Sequence, residues 1–407
     1  MKKKSILSSV GPAFLTTTSV FGPAAILMTG IAGAKYGYSC AWVLWLLLLD
    51  RFVFLDIGTR VGNRIKTTYG DEIRNRYGKV LGFLACFTLS IPMIIYTSSN
   101  TLGTALAATV VFDGDILVYG LIFLVIAILV TINKKSFKVL TDVSVVLMVI
   151  MFLTFLITLC IIGIDFKQFL RGLIPDFSNG PACLSALSIF LTESSQQGAV
   201  HQYIVRKHRQ DQNPKSDATV NSFDHVLSSL FLITIIGMIL AVSAETLGKN
   251  NIVPTSATEF AFMLEPASGR LSRLLFGVGL FAAAITSLNG VSNIAGLVLS
   301  DAFGKLKPEK GQKLQQTISL IIIVVMGLYG LLPSYLGWVN PLDIYLFVSL
   351  MTAITIPLNG VFMLLLSANK ELMGDLLYKK RIYILAWIIF IFVVVFCSYN
   401  FLVNYVL

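Results

Sequence analysis

Stretches of twenty or more residues, nearly free of charge and rich in Leu, Ile, Val and Phe, recur from one end of this chain to the other. A helix needs about 20 apolar residues to cross a hydrocarbon core roughly 30 Å thick. Helices and closed barrels alone satisfy their backbone polar groups there. Segments of this length therefore specify an all-α integral membrane protein. Only 13% of the 407 residues are charged and 56% are hydrophobic, against roughly 25% charged in soluble domains.

We place eleven spans near 12–34, 39–58, 79–109, 115–132, 138–164, 181–204, 222–245, 273–303, 314–335, 341–367 and 381–406, numbered 1 to 11. Met1 to Lys4 before an apolar run has the look of a secretory signal, but Gly11 to Gly33 is too long for one and ten spans follow. It is read as the first retained helix. Most of the 31 lysines and arginines fall in the amino-terminal tail and alternate short loops: Lys2 to Lys4; Arg60 to Lys79; Lys134, Lys135 and Lys138; Arg206 to Lys215; Lys305 to Lys313; and Lys370 to Arg381. That alternation predicts a cytoplasmic amino terminus, an external carboxyl terminus and residence in the cell membrane. It also accounts for the net charge of +10 without a nucleic-acid partner.

Several chemistries are excluded. Cys40, Cys86, Cys160, Cys183 and Cys397 show neither zinc spacing nor a disulfide framework. His201, His208 and His225 lack the spacing of a metal-binding helix and are read as solvated or interfacial. No phosphate loop, nucleophile elbow or acid-base pair is visible, so the chain is read as a transporter, without cofactor, and not as an enzyme.

Interruptions of the helices point to the site. Unwound backbone at mid-membrane depth is tolerated only where protein or a water-filled cavity satisfies it. Span 1 carries Gly22-Pro23-Ala24-Ala25 near its middle, and span 6 carries Glu193-Ser194-Ser195-Gln196-Gln197-Gly198 at comparable depth. Broken helices in corresponding positions of two repeats mark the central site of a secondary transporter.

The segments Gly11-Pro12-Ala13-Phe14-Leu15, Phe21 to Ala25 and Ala32 to Tyr38 resemble the opening of Nramp-family divalent-metal transporters. Ala282 to Gly290 is similar to that family's eighth helix, and Ile356-Pro357-Leu358 with Asn369 to Gly374 to the end of its tenth. The resemblance implies a LeuT-type fold: two inverted five-helix repeats, about 12–164 and 181–367, with spans 1 and 6 broken, plus an extra helix at 381–406, all in one transmembrane domain. It also implies a metal site that this sequence lacks. The family's Asp-Pro-Gly-Asn falls on Gly22, Pro23, Ala24 and Ala25; its helix-six Met and His fall near Ser195 and Gln197. Its helix-three acidic pair falls near Thr97 and Asn100, and its helix-ten Gln near Ser349.

A divalent transition ion needs several donors and anionic charge, which Gly and Ala do not offer. Half-helix amino ends, by contrast, favour anions. Gly22, Pro23, Ala24, Ala25, Ser194, Ser195, Gln196, Gln197 and Gly198 are therefore the expected substrate site, for a small anion with bicarbonate favoured. Glu193, Thr97, Asn100, Asn289, Ser349 and Arg51 are expected along the pathway or in coupling to H+ or Na+. The alternatives are a hydrated divalent cation such as Mg2+ or Mn2+, and a membrane sensor without transport. Arg51 has two readings, anion attraction or neutralisation by Asp50 or Asp56; Asp142 reads as an inner-gate or interfacial acid. Asn289 and Asn293, four apart, line a pathway or bond helices together.

Overall fold

The computed structural model describes residues 17, 21–175, 197–206, 222–255, 257–265, 269–304 and 311–405. Each of the eleven expected spans carries helix. Span 1 contributes Pro23–Tyr36, span 2 Val43–Arg64, span 3 Lys79–Phe112, span 4 Ile116–Ile132 and span 5 Lys134–Ile162. Span 6 contributes 197–206. Ser222–Ser243, Ser272–Ala302, Gly311–Tyr335, Pro341–Ala368 and Lys380–Tyr405 form spans 7 to 11. Among the described residues, four helices are by themselves long and apolar enough to cross a membrane: Lys79–Phe112, Asp224–Gly248, Ser272–Ala302 and Gln312–Tyr335.

Short polar residues set where the helices begin. Asp115 starts span 4 by accepting the Leu117 and Val118 N–H groups at 2.7 and 3.2 Å. Thr68 caps the short Tyr69–Tyr77 helix through the Asp71 N–H at 3.0 Å, and Asn369 caps Lys370–Met373 through Leu372.

The spans sort into two packed groups. Spans 3, 4, 8 and 9 pack on one another, and spans 1 and 2 pack on span 7. Span 10 lies against span 3 and also packs on span 11. Because lipid is as apolar as leucine, association in a bilayer depends on close approach and not on hydrophobic burial. Glycine provides it: a Cβ on Gly58 would stand 2.5 Å from the Gly198 carbonyl oxygen, so spans 2 and 6 meet backbone to backbone. Large aliphatics remain on the outside, among them Val118, Ile122, Val125 and Leu129 on span 4 and Ile384, Ile388, Ile391 and Val395 on span 11.

Candidate functional site

Span 1 is interrupted at the expected place. Phe21 and Gly22 are non-helical. The Phe21 N–H donates to the Thr17 carbonyl at 3.0 Å, closing the first half, and Pro23 opens the second. Gly22 is extended, with φ −102° and ψ −178°, as a residue before proline must be. Pro23 brings a fixed φ and no N–H to the first helical position. Among the described residues no side chain caps this amino end, and no acid sits in its first turn, so the half-helix dipole is directed at the break.

Span 3 covers the interruption. A Cβ on Gly22 would lie 2.7 Å from Asn100 Oδ1 and 3.1 Å from the Tyr96 ring. One turn further on, a Cβ on Gly103 would lie 2.2 Å from the Pro23 ring and 3.3 Å from the Tyr345 hydroxyl of span 10. An aspartate at position 22, as in the metal-binding motif, would therefore need the space that the Asn100 amide holds. Asn100 is fully buried, and among the described residues neither its Oδ1 nor its Nδ2 has a hydrogen-bond partner. Leaving a buried polar group unsatisfied costs about 1–3 kcal/mol. Thr97, also buried, spends its hydroxyl on the Met93 carbonyl at 3.0 Å.

Arg51 of span 2 is fully buried. Its guanidinium donates to the Thr17 hydroxyl and to the Gln197 side-chain oxygen, tying the end of the first half of span 1 to the first described turn of span 6. Asp50, next to it in sequence, is equally buried. Gln197 is thus beside Arg51, whereas Gly198 serves packing: its Cβ position lies 2.6 Å from the Phe54 carbonyl oxygen. Glu193, Ser194, Ser195 and Gln196 lie outside the described residues, as do the side chains of Ser349 and Asp142.

The histidine expectation is corrected in part. His201 and His225 are buried, and both ring Nε2 atoms contact the Thr59 hydroxyl, at 2.9 and 2.6 Å. His208 lies outside the described residues. The close approach of spans 2 and 6 encloses these rings with Thr59, which a sequence pattern of isolated histidines does not reveal. Asp56 continues the network, bonded to Arg60 Nε at 2.7 Å and to the Tyr378 hydroxyl, with His225 Nδ1 3.7 Å away. Asp56 therefore belongs to an ion pair within its own span and is not a partner shown for Arg51. Burial, and then Asp56, pushes the Tyr378 phenol far above its usual range, so it remains a donor. Asn289 accepts from Thr131 at 3.3 Å and donates to the Ile285 carbonyl at 3.1 Å, an interhelical bond. Asn293 donates to the Asn289 carbonyl at 2.7 Å.

One cluster was not legible beforehand. Asp301, fully buried at the end of span 8, accepts from the Tyr203 hydroxyl at 2.6 Å, the Gly70 N–H at 2.8 Å, Thr68 at 2.5 Å and Arg74 at 3.1 Å. It joins span 8 to span 6 and to the short helix before span 3. Nearby Tyr69 is held neutral, its phenol pushed well up by burial, Cys86 and Asp301. An acid within a long apolar segment was the available signal. Elsewhere, a cavity of about 560 Å3 is lined by Glu245, Thr246, Asn250 and Glu265. Glu245 is saturated there by Tyr38, the Asp165 N–H and Lys249. Among the described residues, no group of three or more His, Cys, Asp or Glu is placed to hold a metal ion.

Comparison with known proteins gives the family. The chain is 22% identical over 406 residues to the divalent metal cation transporter MntH of Deinococcus radiodurans, covering 97% of this chain and 90% of that protein. It is 22% identical over 411 residues to the natural resistance-associated macrophage protein 2 homolog of Dictyostelium discoideum, but spans only 62% of that longer protein. Among solved structures, a variant of the Eremococcus coleocola manganese transporter superposes with TM-score 0.77 at 15% identity, covering 99% of this chain and 89% of that one. MhsT in complex with L-phenylalanine superposes with TM-score 0.65 over 97% of this chain and 98% of that one, in keeping with a LeuT-type, all-α membrane fold. The model for the natural resistance-associated macrophage protein-like family matches residues 13–404. The chain is a multi-pass membrane transporter and belongs to the Nramp family.

Proposed function

We propose that this chain is a secondary transporter of a small oxyanion, with bicarbonate the favoured cargo, working by alternating access. One observation carries the reading. Arg51 holds a buried guanidinium between the interrupted first span and span 6, in a protein whose family-motif ligands are replaced by Gly22 and Ala25. At about 6 Å and an effective dielectric of about 20, a unit charge is worth about 3 kcal/mol. A divalent cation beside Arg51 therefore faces about twice that in repulsion, while a monoanion gains it. The uncapped amino end at Pro23 adds partial positive charge of the same sign.

The accompanying architecture is two inverted repeats, about 12–164 and 181–367, with the helix at 381–406 appended and the amino terminus cytoplasmic. Glu193, Ser194, Ser195 and Gln196 complete the proposed lining, with H+ or Na+ as the coupling ion. A second reading, transport of a hydrated divalent cation such as Mg2+, is favoured by the names of the relatives, which are divalent metal transporters. Purified protein in liposomes separates the readings. With protein-free liposomes as control for CO2 diffusion, an imposed bicarbonate gradient produces a saturable internal pH response, and Mn2+ and Mg2+ do not enter. Metal entry without any anion response overturns the proposal, and saturable binding without flux of either favours a sensor.

A further inference from the structure

Span 3 carries an unbroken polar run, Thr97 to Thr101, fully buried in the bilayer-spanning part of the protein. Its hydroxyls are all consumed by their own helix: Thr97 by Met93, Ser98 by Ile95, Ser99 by Tyr96 and Thr101 by Thr97. Asn100 is the exception. Its amide offers one acceptor and one donor group, both buried, and neither is used among the described residues. It is also the side chain that reaches the break in span 1, where only the absence of a Cβ on Gly22 admits it. A group with this capacity, in this place, is shaped for something that is not part of the chain.

We propose that Asn100 is the residue that selects a protonated oxyanion over one that bears no proton. This rests on the anion reading above and deepens it. The chemistry follows from the inventory of hydrogen-bonding groups. Arg51 has donors only, so it reads negative charge and not protonation; nitrate, chloride and hydrogencarbonate look alike to it. An amide has both roles. Its N–H donates to an anion oxygen, and its carbonyl oxygen accepts from the hydroxyl of hydrogencarbonate. Nitrate and chloride have no hydroxyl, and in their complexes Asn100 Oδ1 stays buried and unpaired. A site with a buried acceptor rejects ligands that cannot satisfy it far more strongly than an apolar pocket rejects a slight misfit. Gly22 and Asn100 thus act as a pair: an aspartate at 22 serves a cation, and a glycine there lets the amide of span 3 approach in its place.

Paired flux and stability measurements on N100L and N100T in proteoliposomes and detergent test this. Leucine keeps the branched heavy-atom skeleton and removes both polar groups; threonine ties its hydroxyl to its own helix as its neighbours do. The expected result is that the bicarbonate-to-nitrate flux ratio falls about tenfold or more in both variants. Substrate-free N100L melts no lower than the parent, because it discards two unsatisfied groups, but loses the rise in melting temperature that bicarbonate gives the parent. If the parent carries bicarbonate and both variants keep its selectivity and its thermal response, Asn100 holds a water only and the inference is overturned while the anion reading stands. If the parent carries no anion at all, both are overturned together.

Discussion

Asp301 and Asn100 are both fully buried polar residues, on spans 8 and 3, which pack closely against each other. Asp301 is surrounded by four donors from span 6, the short helix before span 3 and the loop leading into it. Asn100 has none. The difference separates two uses of polarity inside a membrane protein. Where a buried group holds elements together, its bonding capacity is filled by the protein; where capacity is left over beside an interrupted helix, it is available to a ligand. Arg51 stands between these cases, tied to Thr17 and Gln197 yet placed beside the interrupted first span.

Substitutions sharpen that contrast. D301A is expected to cost the most stability, about 3 kcal/mol or more, because it leaves the Tyr203 and Thr68 hydroxyls and the Gly70 N–H without their acceptor in a buried cluster, while Arg74 keeps Asp71; thermal unfolding in detergent reads it. An unchanged melting temperature in D301A would show that the saturated cluster is not structural. R51Q follows, with its main effect on transport. Loss of a charged donor worth about 1.5–3 kcal/mol lowers anion flux roughly ten- to hundredfold. R51K keeps the charge but not the planar fork, and is expected to fall between. Y203F removes one bond to a carboxylate that keeps its others, for a loss of about 1.5 kcal/mol. Smallest is N289L, which breaks the bond from Thr131 at about 0.6 kcal/mol, the mean for interhelical hydrogen bonds in a bilayer. A large drop in transport by N289L with intact stability would move Asn289 from the scaffold to the pathway.

Much of the fold was written in apolar run length. Spans 3, 4, 8 and 9 begin and end within a few residues of their expected limits, since segments of this length have one solution in lipid. The break at Gly22-Pro23 was legible for the same reason, because proline and glycine constrain backbone whatever surrounds them. What sequence withheld was mutual: which side chains meet. Thr59 between His201 and His225, Asp301 beneath Tyr203, and Asn100 against Gly22 join residues 78 to 166 positions apart. No periodicity encodes such pairings. Gly198, expected to line the site, shows the converse, a glycine whose purpose is the touch of two backbones.

The most direct test is a side-by-side uptake measurement on the same proteoliposomes, with bicarbonate in one arm and Mn2+ in the other, for the parent and R51Q. Saturable bicarbonate uptake that R51Q lowers roughly ten- to hundredfold, with no Mn2+ entry in either, is the predicted result. Mn2+ uptake that persists or rises in R51Q, without bicarbonate movement in the parent, would contradict it.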